Sequence, residues 1–599
     1  MVGLTFLCFW IVYVLRIIEY CGIMKGIGGI FMRLGMSKSK NSLSLYVIKS
    51  TYENKKHSTK IVEKLGTYNE LLEKLNGRDP IEWANAYIEE LNEKEKAENL
   101  EIITRFSQSK QIAPGKQVLF NGGYLFIQSL YHDLDLDRIC KELTGKYKFT
   151  FDLNEILSRL IYTRILYPSS KLSSHEASRR FIEQPSFDLQ HVYRSLDVLA
   201  KEGDSIQAAV YQSSLKTIQR NTGILYYDCT NYFFETEEAS GLRQYGISKE
   251  HRPNPIVQMG LIMDGNGIPL AFVMNEGNMN EQRTLKPLEK RIIEDFKLSK
   301  FIMCTDGGLD AYENRIFNTL GDRAFVVTQS LKKLRAPLRE WALERNGWRA
   351  GGSNETICLD DIDDTSSNGE IYYKSHWITE NGIKQQLIVS YSPRYKAYRE
   401  SIRAAQILRA EAKINQGKRI KNANDPERFI ERIYYTEDGE IAKHEGRSLH
   451  KSVIDKEAMY DGFYGVCTNL DEDIQVIIDI NKRRWEIEES FRILKTEFNA
   501  RPVYLNRDDR IRAHFMTCFL SLLIYRMMEA KLKQAVTSTA LLSTLKSMNF
   551  LQIKEGAYVP AYERTDITDA LHDAFGFRTD YEVIPQKTMK KIIKASKML

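Results

Sequence analysis

Several features that would name a function class outright are missing from this chain. Its eight cysteines stand at 8, 21, 140, 229, 304, 358, 467 and 518, with no Cys-x-x-Cys pair and no Cys/His cluster at zinc spacing. That argues against a structural zinc site and a disulfide framework, and reads as a reduced, intracellular protein. There is no internal repeat and no long low-complexity segment, which excludes a solenoid and a disordered scaffold. Charge of one sign is also modest: the net charge is +6 over 599 residues, which permits a polyanionic partner without demanding one. No apolar run reaches the roughly 20 residues of a membrane-spanning helix. The nearest, Met1 to Leu15, also lacks the charged start and small-residue cleavage site of a signal peptide. Met36-Ser-Lys-Ser-Lys opens a stretch of different character, so Met36 reads as the natural start and 1–35 as upstream frame. A membrane anchor is the competing reading.

What is present is ordinary globular composition, 43% apolar and 27% charged, with the positive charge in patches. The chain divides by pattern into seven segments. Residues 1–35 form the apolar extension. Residues 36–110 hold a lysine-rich hairpin, with runs at Leu45-Tyr-Val-Ile and Thr59-Lys-Ile-Val-Glu-Lys-Leu, and a charged helical linker. Residues 111–221 read as a helical domain fit for packing or DNA binding. Strand character begins at 222–330. Ile224-Leu-Tyr-Tyr-Asp-Cys-Thr and Ile256-Val-Gln-Met-Gly-Leu-Ile-Met are nearly continuous apolar runs, as buried strands are. Asp264-Gly-Asn-Gly is a hairpin turn into Ile268-Pro-Leu-Ala-Phe-Val-Met. A helix at 281–297 leads to strands at Phe301-Ile-Met-Cys-Thr and Ala324-Phe-Val-Val-Thr. Three antiparallel strands followed by strand–helix alternation predict a mixed α/β sheet. Residues 331–475 interrupt it with further strands and a basic helical stretch from Arg394 to Lys421. A second part of the core, 476–535, carries a charged helix and an apolar helix at Ile511–Leu532. Residues 536–599 are read as helical with a basic tail from Lys587 to Lys597.

Two acids lie where strands deliver side chains to one sheet edge. Asp228 is read as closing the first strand, and Asp306 follows the fourth in Thr305-Asp-Gly-Gly-Leu. Alternation puts Ile224, Tyr226 and Asp228 on one face, and Ile302, Cys304 and Asp306 on one face. If those strands are neighbours, the two carboxylates meet. Either Asp alone is equally a turn or helix-cap residue, the reading given to Asp264, Asp310 and Asp322. A third acid, Glu488, lies in Arg483-Arg-Trp-Glu-Ile-Glu-Glu-Ser-Phe-Arg-Ile-Leu-Lys495, read as one helix. With Arg484 at zero, Lys495 falls near 20°, Glu488 near 40° and Arg492 near 80° at about 100° per residue. Ile487, Phe491, Leu494 and Phe498 form an apolar stripe on the other side. Carboxylates for divalent ions beside Arg and Lys for phosphates suit phosphodiester chemistry. A solvated face of Glu/Arg pairs is the plain alternative. Trp485 stacks on a base or packs under the helix, packing being favoured.

These residues, taken in order, resemble the DDE transposases of bacterial insertion sequences, in the branch with the signature Tyr-x2-Arg-x3-Glu-x6-Lys. Arg484, Glu488 and Lys495 match at the right spacing, while Asn481 stands where the signature has tyrosine. Tyr227-Asp-Cys-Thr, Gly267-Ile-Pro-Leu, Asp461-Gly-Phe-Tyr-Gly-Val-Cys-Thr, Arg501-Pro-Val-Tyr and Arg510-Ile-Arg-Ala-His also match. The resemblance spans about 36–550. It implies an RNase H-like catalytic core interrupted by a β-rich insertion, which suits the 182 residues between Asp306 and Glu488 against 78 between Asp228 and Asp306. It implies Asp228, Asp306 and Glu488 as catalytic acids holding two Mg2+ (or Mn2+) ions. It implies DNA contacts by Arg484 and Lys495, with Arg492 and Trp485 alongside. The expected activity is cleavage at terminal inverted repeats and strand transfer into target DNA, by a cytoplasmic, nucleoid-associated homodimer, with no membrane role. An RNase H-fold nuclease without strand transfer and a catalytically dead DNA-binding derivative are the alternatives.

Overall fold

The computed structural model describes residues 32–598, apart from 40–41, 54–55, 76, 99–106, 310, 352, 354, 363–368, 417–425, 436–443, 534 and 554–555. Asp310 and the Lys418, Arg419 and Lys421 end of the basic stretch lie outside the described residues, as does most of the apolar extension. The chain forms two compact units, residues 1–111 and 112–599. No helix among the described residues is long and apolar enough to cross a membrane.

In the first unit, β1 (Met32–Lys38), β2 (Leu43–Glu53) and β3 (Lys56–Thr67) form an antiparallel sheet in the order β1-β2-β3. The expected lysine-rich hairpin is therefore present, and β1 adds a strand that crosses Met36. Thr67 then caps α1 (Tyr68–Lys74) in a reciprocal box with Glu70, and α2 (Pro80–Glu98) follows.

The second unit opens with a helical block: α3 (Tyr124–Asp133), α4 (Leu136–Tyr147), α5 (Leu153–Leu166), α6 (Lys171–Ser178), α7 (Leu189–Lys201) and α8 (Gly203–Thr217). The sheet begins at β4 (Ile224–Phe233), which pairs antiparallel with β5 (Ile256–Asp264), itself paired with β6 (Pro269–Glu276). After α9 (Leu285–Asp295) the chain crosses back to β7 (Phe301–Thr305), parallel to β4. After α10 (Tyr312–Phe317) it adds β8 (Arg323–Gln329), parallel to β7. The order β6-β5-β4-β7-β8 is the mixed, RNase H-like sheet expected.

Two strands of the insertion, Ile430–Tyr435 and His444–Leu449, pair with each other as a small antiparallel sheet. Its other strands, β9 (Arg349–Ala350), β10 (Tyr372–Glu380), β11 (Ile383–Tyr391) and β12 (Phe463–Thr468), extend the main sheet, giving nine strands in the order β9-β10-β11-β12-β8-β7-β4-β5-β6. β12 docks antiparallel on β8 and so covers what would be an open edge. The helix α11 (Pro393–Gln416) leaves the sheet between β11 and β12.

Alternation along the strands divides the core. Tyr226, Cys304, Met263 and Val326 join a large cluster with the helical block, while Leu225, Tyr227, Met303 and Ile262 join a second with Leu285, Leu288 and Ile292 of α9. Ile487, Phe491 and Leu494 belong to the large cluster, so the charged helix packs on the face to which Tyr226 and Cys304 point. That region is α12 (Ile474–Lys482), a turn, then α13 (Trp485–Arg492), which runs into a wider π turn at Ile493–Glu497. The single helix read over Arg483–Lys495 is therefore an α-helix that starts at Trp485 and widens into a π turn at Ile493. The long α14 (Asp508–Lys531) runs through the large cluster. Arg526 from α14 donates to Ser490 Oγ (2.8 Å) and the Glu486 carbonyl (3.3 Å), pinning α13. After α15 (Ser538–Ser547) and α16 (Asp566–Phe575), the basic tail proves to be a docked helix, α17 (Gln586–Ala595). Its Met589 and Ile592 are buried.

Asp264 takes the structural role assigned to it. Its carboxylate accepts from the Asn266 and Ile268 amides across the hairpin turn and pairs with buried Arg220 at 2.7 Å. Glu289 on α9 is a different case: it is fully buried, with one oxygen accepting from Asn318 Nδ2 (2.7 Å) and the other unpartnered. Burial pushes its carboxyl up to about 7 against the partial opposition of Asn318, Arg323 and Lys286. A raised acid favours the protonated fold, so stability is lost as pH climbs from the unfolded value toward 7. Glu289→Gln removes that loss. In urea unfolding between about pH 5 and pH 8, the variant should gain on the parent as pH rises, reaching at most about 3 kcal/mol above pH 7.

Candidate active site

The parallel ladder of β4 and β7 ends with Tyr227 opposite Thr305. The next residue on each strand is an acid, so Asp228 and Asp306 stand level at the point where the ladder stops. β4 itself does not stop there. It continues to Phe233 because β5 pairs with it as far as Ile256, so Asp228 is a mid-strand residue, not the strand-closing one expected. Both acids follow the alternation of Tyr226 and Cys304, toward the face that carries α13.

Local chemistry holds each acid. Asp306 Oδ1 accepts from the amides of Gly308 (3.1 Å) and Leu309 (3.0 Å), so the Asp-Gly-Gly turn folds around its carboxylate. Gly307 is required by close approach: a Cβ there would lie 2.8 Å from the Thr328 carbonyl oxygen. Asp228 Oδ1 accepts from the Cys229 amide at 2.7 Å. Burial pushes the Asp228 carboxyl up to about 6. Lys249 and Arg484 hold it down, and the neighbouring Asp306 pushes it further up.

Arg484 heads α13, and its guanidinium lies 3.5 Å from Glu488. Burial works against its charge, yet Tyr464, Glu488, Asp306 and Asp228 together hold it above the usual arginine value. One guanidinium thus feels all three candidate acids. Glu488 is 59% exposed and turned to Arg484. The ligand oxygens of Asp228, Asp306 and Glu488 do not all lie within 4.8 Å of one another. Among the described residues only Asp569, His572 and Asp580 form such a three-residue group. That group is already neutralised, since Arg578 pairs with both of its aspartates and Arg564 adds a third contact.

The remaining predicted residues divide. Lys495, in the π turn, is drawn to the site: its Nζ pairs with Glu250 (3.5 Å), sits over the Tyr232 ring and feels Asp228. Burial and nearby Lys249 pull it down to about 8. Arg492 is engaged elsewhere, with Glu489 (3.5 Å), Glu497 (3.8 Å) and Ser538 (3.4 Å). Trp485 does not pack under the helix as favoured; it is 57% exposed, because the apolar stripe that docks is Ile487, Phe491 and Leu494. Asn481 is buried and accepts from Thr328 Oγ1 (3.5 Å), which shares a 2.7 Å hydrogen bond with the Tyr464 hydroxyl.

Three residues here escaped sequence reasoning. Lys249 reaches the Cys229 carbonyl and pairs with Glu281 at 3.4 Å. Glu250 pairs with both Lys495 and Arg501. Tyr464 lies beside Arg484, delivered by β12. Tyr464 lies in the Asp461-Gly-Phe-Tyr-Gly stretch, but nothing in the pattern of that stretch or of the Lys249 loop marks these side chains as neighbours of the acids.

Residues 233–524 match the model of a family described as the transposase DDE domain. The match supports a DDE transposase. It begins after Asp228 and takes in Asp306, Glu488 and the whole sheet insertion. Among solved structures, the chain is similar to a piggyBac transposase synaptic complex with hairpin DNA, determined by cryo-EM. The identity is 9%, covering 71% of this chain and 78% of that one, with a TM-score of 0.34, a likeness too distant to carry an argument. No curated protein matches the chain significantly.

The electrostatics of this candidate site yield a direct check. With no divalent ion added, Asp228 should titrate near 6 by carboxyl-carbon NMR of aspartate-labelled protein. Lys249→Met removes the foremost cation holding it down, so its midpoint should move higher. A midpoint near 4 in both proteins contradicts the site as described.

Proposed function

We propose that the chain is a metal-dependent DNA transposase of the DDE class, with Asp228, Asp306 and Glu488 as its acids. The observation that carries this reading is the Arg484 guanidinium within electrostatic reach of all three, at the head of a helix that also brings Lys495. The transposase DDE match over residues 233–524 supports the transposase reading.

The residues fit a pair of hard divalent ions. The donors are carboxylate oxygens, as Mg2+ or Mn2+ prefers. Asp228 is pushed up by burial and by Asp306, so a cation there would relieve both. Asp228 and Asp306 would hold one ion between them and Glu488 would help hold the second. Such ions activate a water or hydroxyl nucleophile and stabilise the leaving oxygen.

The chain's own residues bind and orient the DNA. Arg484 and Lys495 hold backbone phosphates beside the acids, and salt weakens that binding. Glu250, paired with Lys495 and Arg501 in the free protein, gives way to phosphate oxygens. In the first step a water oxygen bonds to phosphorus, the bond to the 3′ oxygen breaks, and that oxygen takes a proton. In the second, the freed 3′-hydroxyl loses its proton and bonds to a target phosphorus, and the target's own 3′ oxygen departs and is protonated. The substrates are the terminal inverted repeats of the element and target duplex DNA, bound by a homodimer.

Oligonucleotides carrying the flanking inverted repeats test this. The parent should nick and join them with Mg2+ or Mn2+. Asp228→Asn, Asp306→Asn and Glu488→Gln should each lower the rate by more than about a hundredfold while leaving end binding largely intact. Cleavage that survives Asp306→Asn rejects the site. Cleavage without joining identifies a nuclease instead.

A further inference from the structure

A cavity of about 470 Å3 opens between the helical block and the chain that follows the signature helix. Arg164 of α5, Lys171 at the start of α6, Arg501, Tyr504 and His514 line it. No aspartate or glutamate does.

Its charge is unbalanced. Lys171 is only 5% exposed, and its Nζ is buried with no hydrogen-bond partner. Arg164 is 2% exposed. It spends its two Nη groups on the carbonyls of Phe498 (2.9 Å), Asn499 (3.3 Å) and Ser169 (3.0 Å), and its Nε has no partner. His514 supplies no counter-charge, since its Nε2 is 3.2 Å from the Ala500 carbonyl and burial, with Arg164 and Lys171, holds it neutral. Two buried cations without a carboxylate are costly; Arg164 offsets its burial through three carbonyl bonds, whereas Lys171 makes none. Burial and Arg164 pull Lys171 down to about 7, a displacement that a bound anion would reverse. Lys171 also opens a helix capped by Ser170, whose free amides and dipole favour negative charge.

We propose that this cavity is a phosphate-binding site, with the Lys171 ammonium donating to phosphate oxygens and Arg164 supplying the second charge. The phosphate is either a backbone phosphate of bound DNA or a free phosphate ion. Arg501 favours DNA, because it lines the cavity and shares Glu250 with Lys495, which continues the row of cations from the active site. The choice of DNA rests on the transposase reading; the anion site does not.

Two measurements on the full chain test it. In equilibrium dialysis with labelled inorganic phosphate, the parent should bind about one ion per chain, and Lys171→Met should bind at least tenfold more weakly, with Lys171→Arg retaining most of the affinity. Lys171→Met should melt no lower than the parent in phosphate-free buffer, since it deletes an unpaired buried charge. In the second arm, a duplex of arbitrary sequence is titrated by fluorescence anisotropy at several salt concentrations. If DNA supplies the phosphate, the duplex displaces labelled phosphate, and Lys171→Met binds duplex at least threefold more weakly with a shallower salt slope. Phosphate that stays bound when duplex is added marks a site for the free ion. Parent and Lys171→Met matching in both arms overturns the proposal. An inactive enzyme that still takes up phosphate through Lys171 would sink the transposase reading and leave this site standing.

Discussion

Everything in the candidate site depends on one register, the parallel pairing that sets Tyr227 against Thr305. That pairing brings two acids level although 78 residues separate them. A one-residue slip would turn either carboxylate into the opposite cluster, among the side chains of α9. The register is secured from both faces. Tyr226 and Cys304 are buried in the large core, and Leu225, Tyr227 and Met303 in the second. The Tyr226 hydroxyl also donates to the Ile480 carbonyl at 2.9 Å, which ties β4 to the helix just before Arg484.

Around that register charges of both signs oppose one another. Lys249 and Arg484 oppose the repulsion between Asp228 and Asp306, and Glu250 answers Lys495 and Arg501. Glu488 is exposed and paired with Arg484. This explains how the three carboxylates belong to one electrostatic neighbourhood without forming a compact ligand cluster.

Much of this was legible in the chain. Continuous apolar runs at 224–230, 256–263 and 301–305 marked buried strands because both sheet faces are covered. The alternation of Ile224, Tyr226 and Asp228 gave the correct face. The stripe Ile487, Phe491 and Leu494 gave the docking side of α13. Other features were not legible, for physical reasons. A helical wheel assumes uniform winding, and the π turn at Ile493–Glu497 breaks it just where Lys495 lies. Strand ends depend on partners, so Asp228 looked terminal while β5 carried its strand onward. That four strands of the insertion join the main sheet was not legible, because a strand carries no sign of the partner it pairs with. Lys249, Glu250 and Tyr464 reach the site through tertiary packing alone.

The claim that most needs a direct measurement is that Asp228 and Asp306 share a cation. Crystals of the full chain soaked in Mn2+ and recorded at the manganese edge would answer it. The account predicts an anomalous peak within bonding distance of carboxylate oxygens from both residues. A peak at Asp569, His572 and Asp580 instead, with none at the β4–β7 edge, would contradict it.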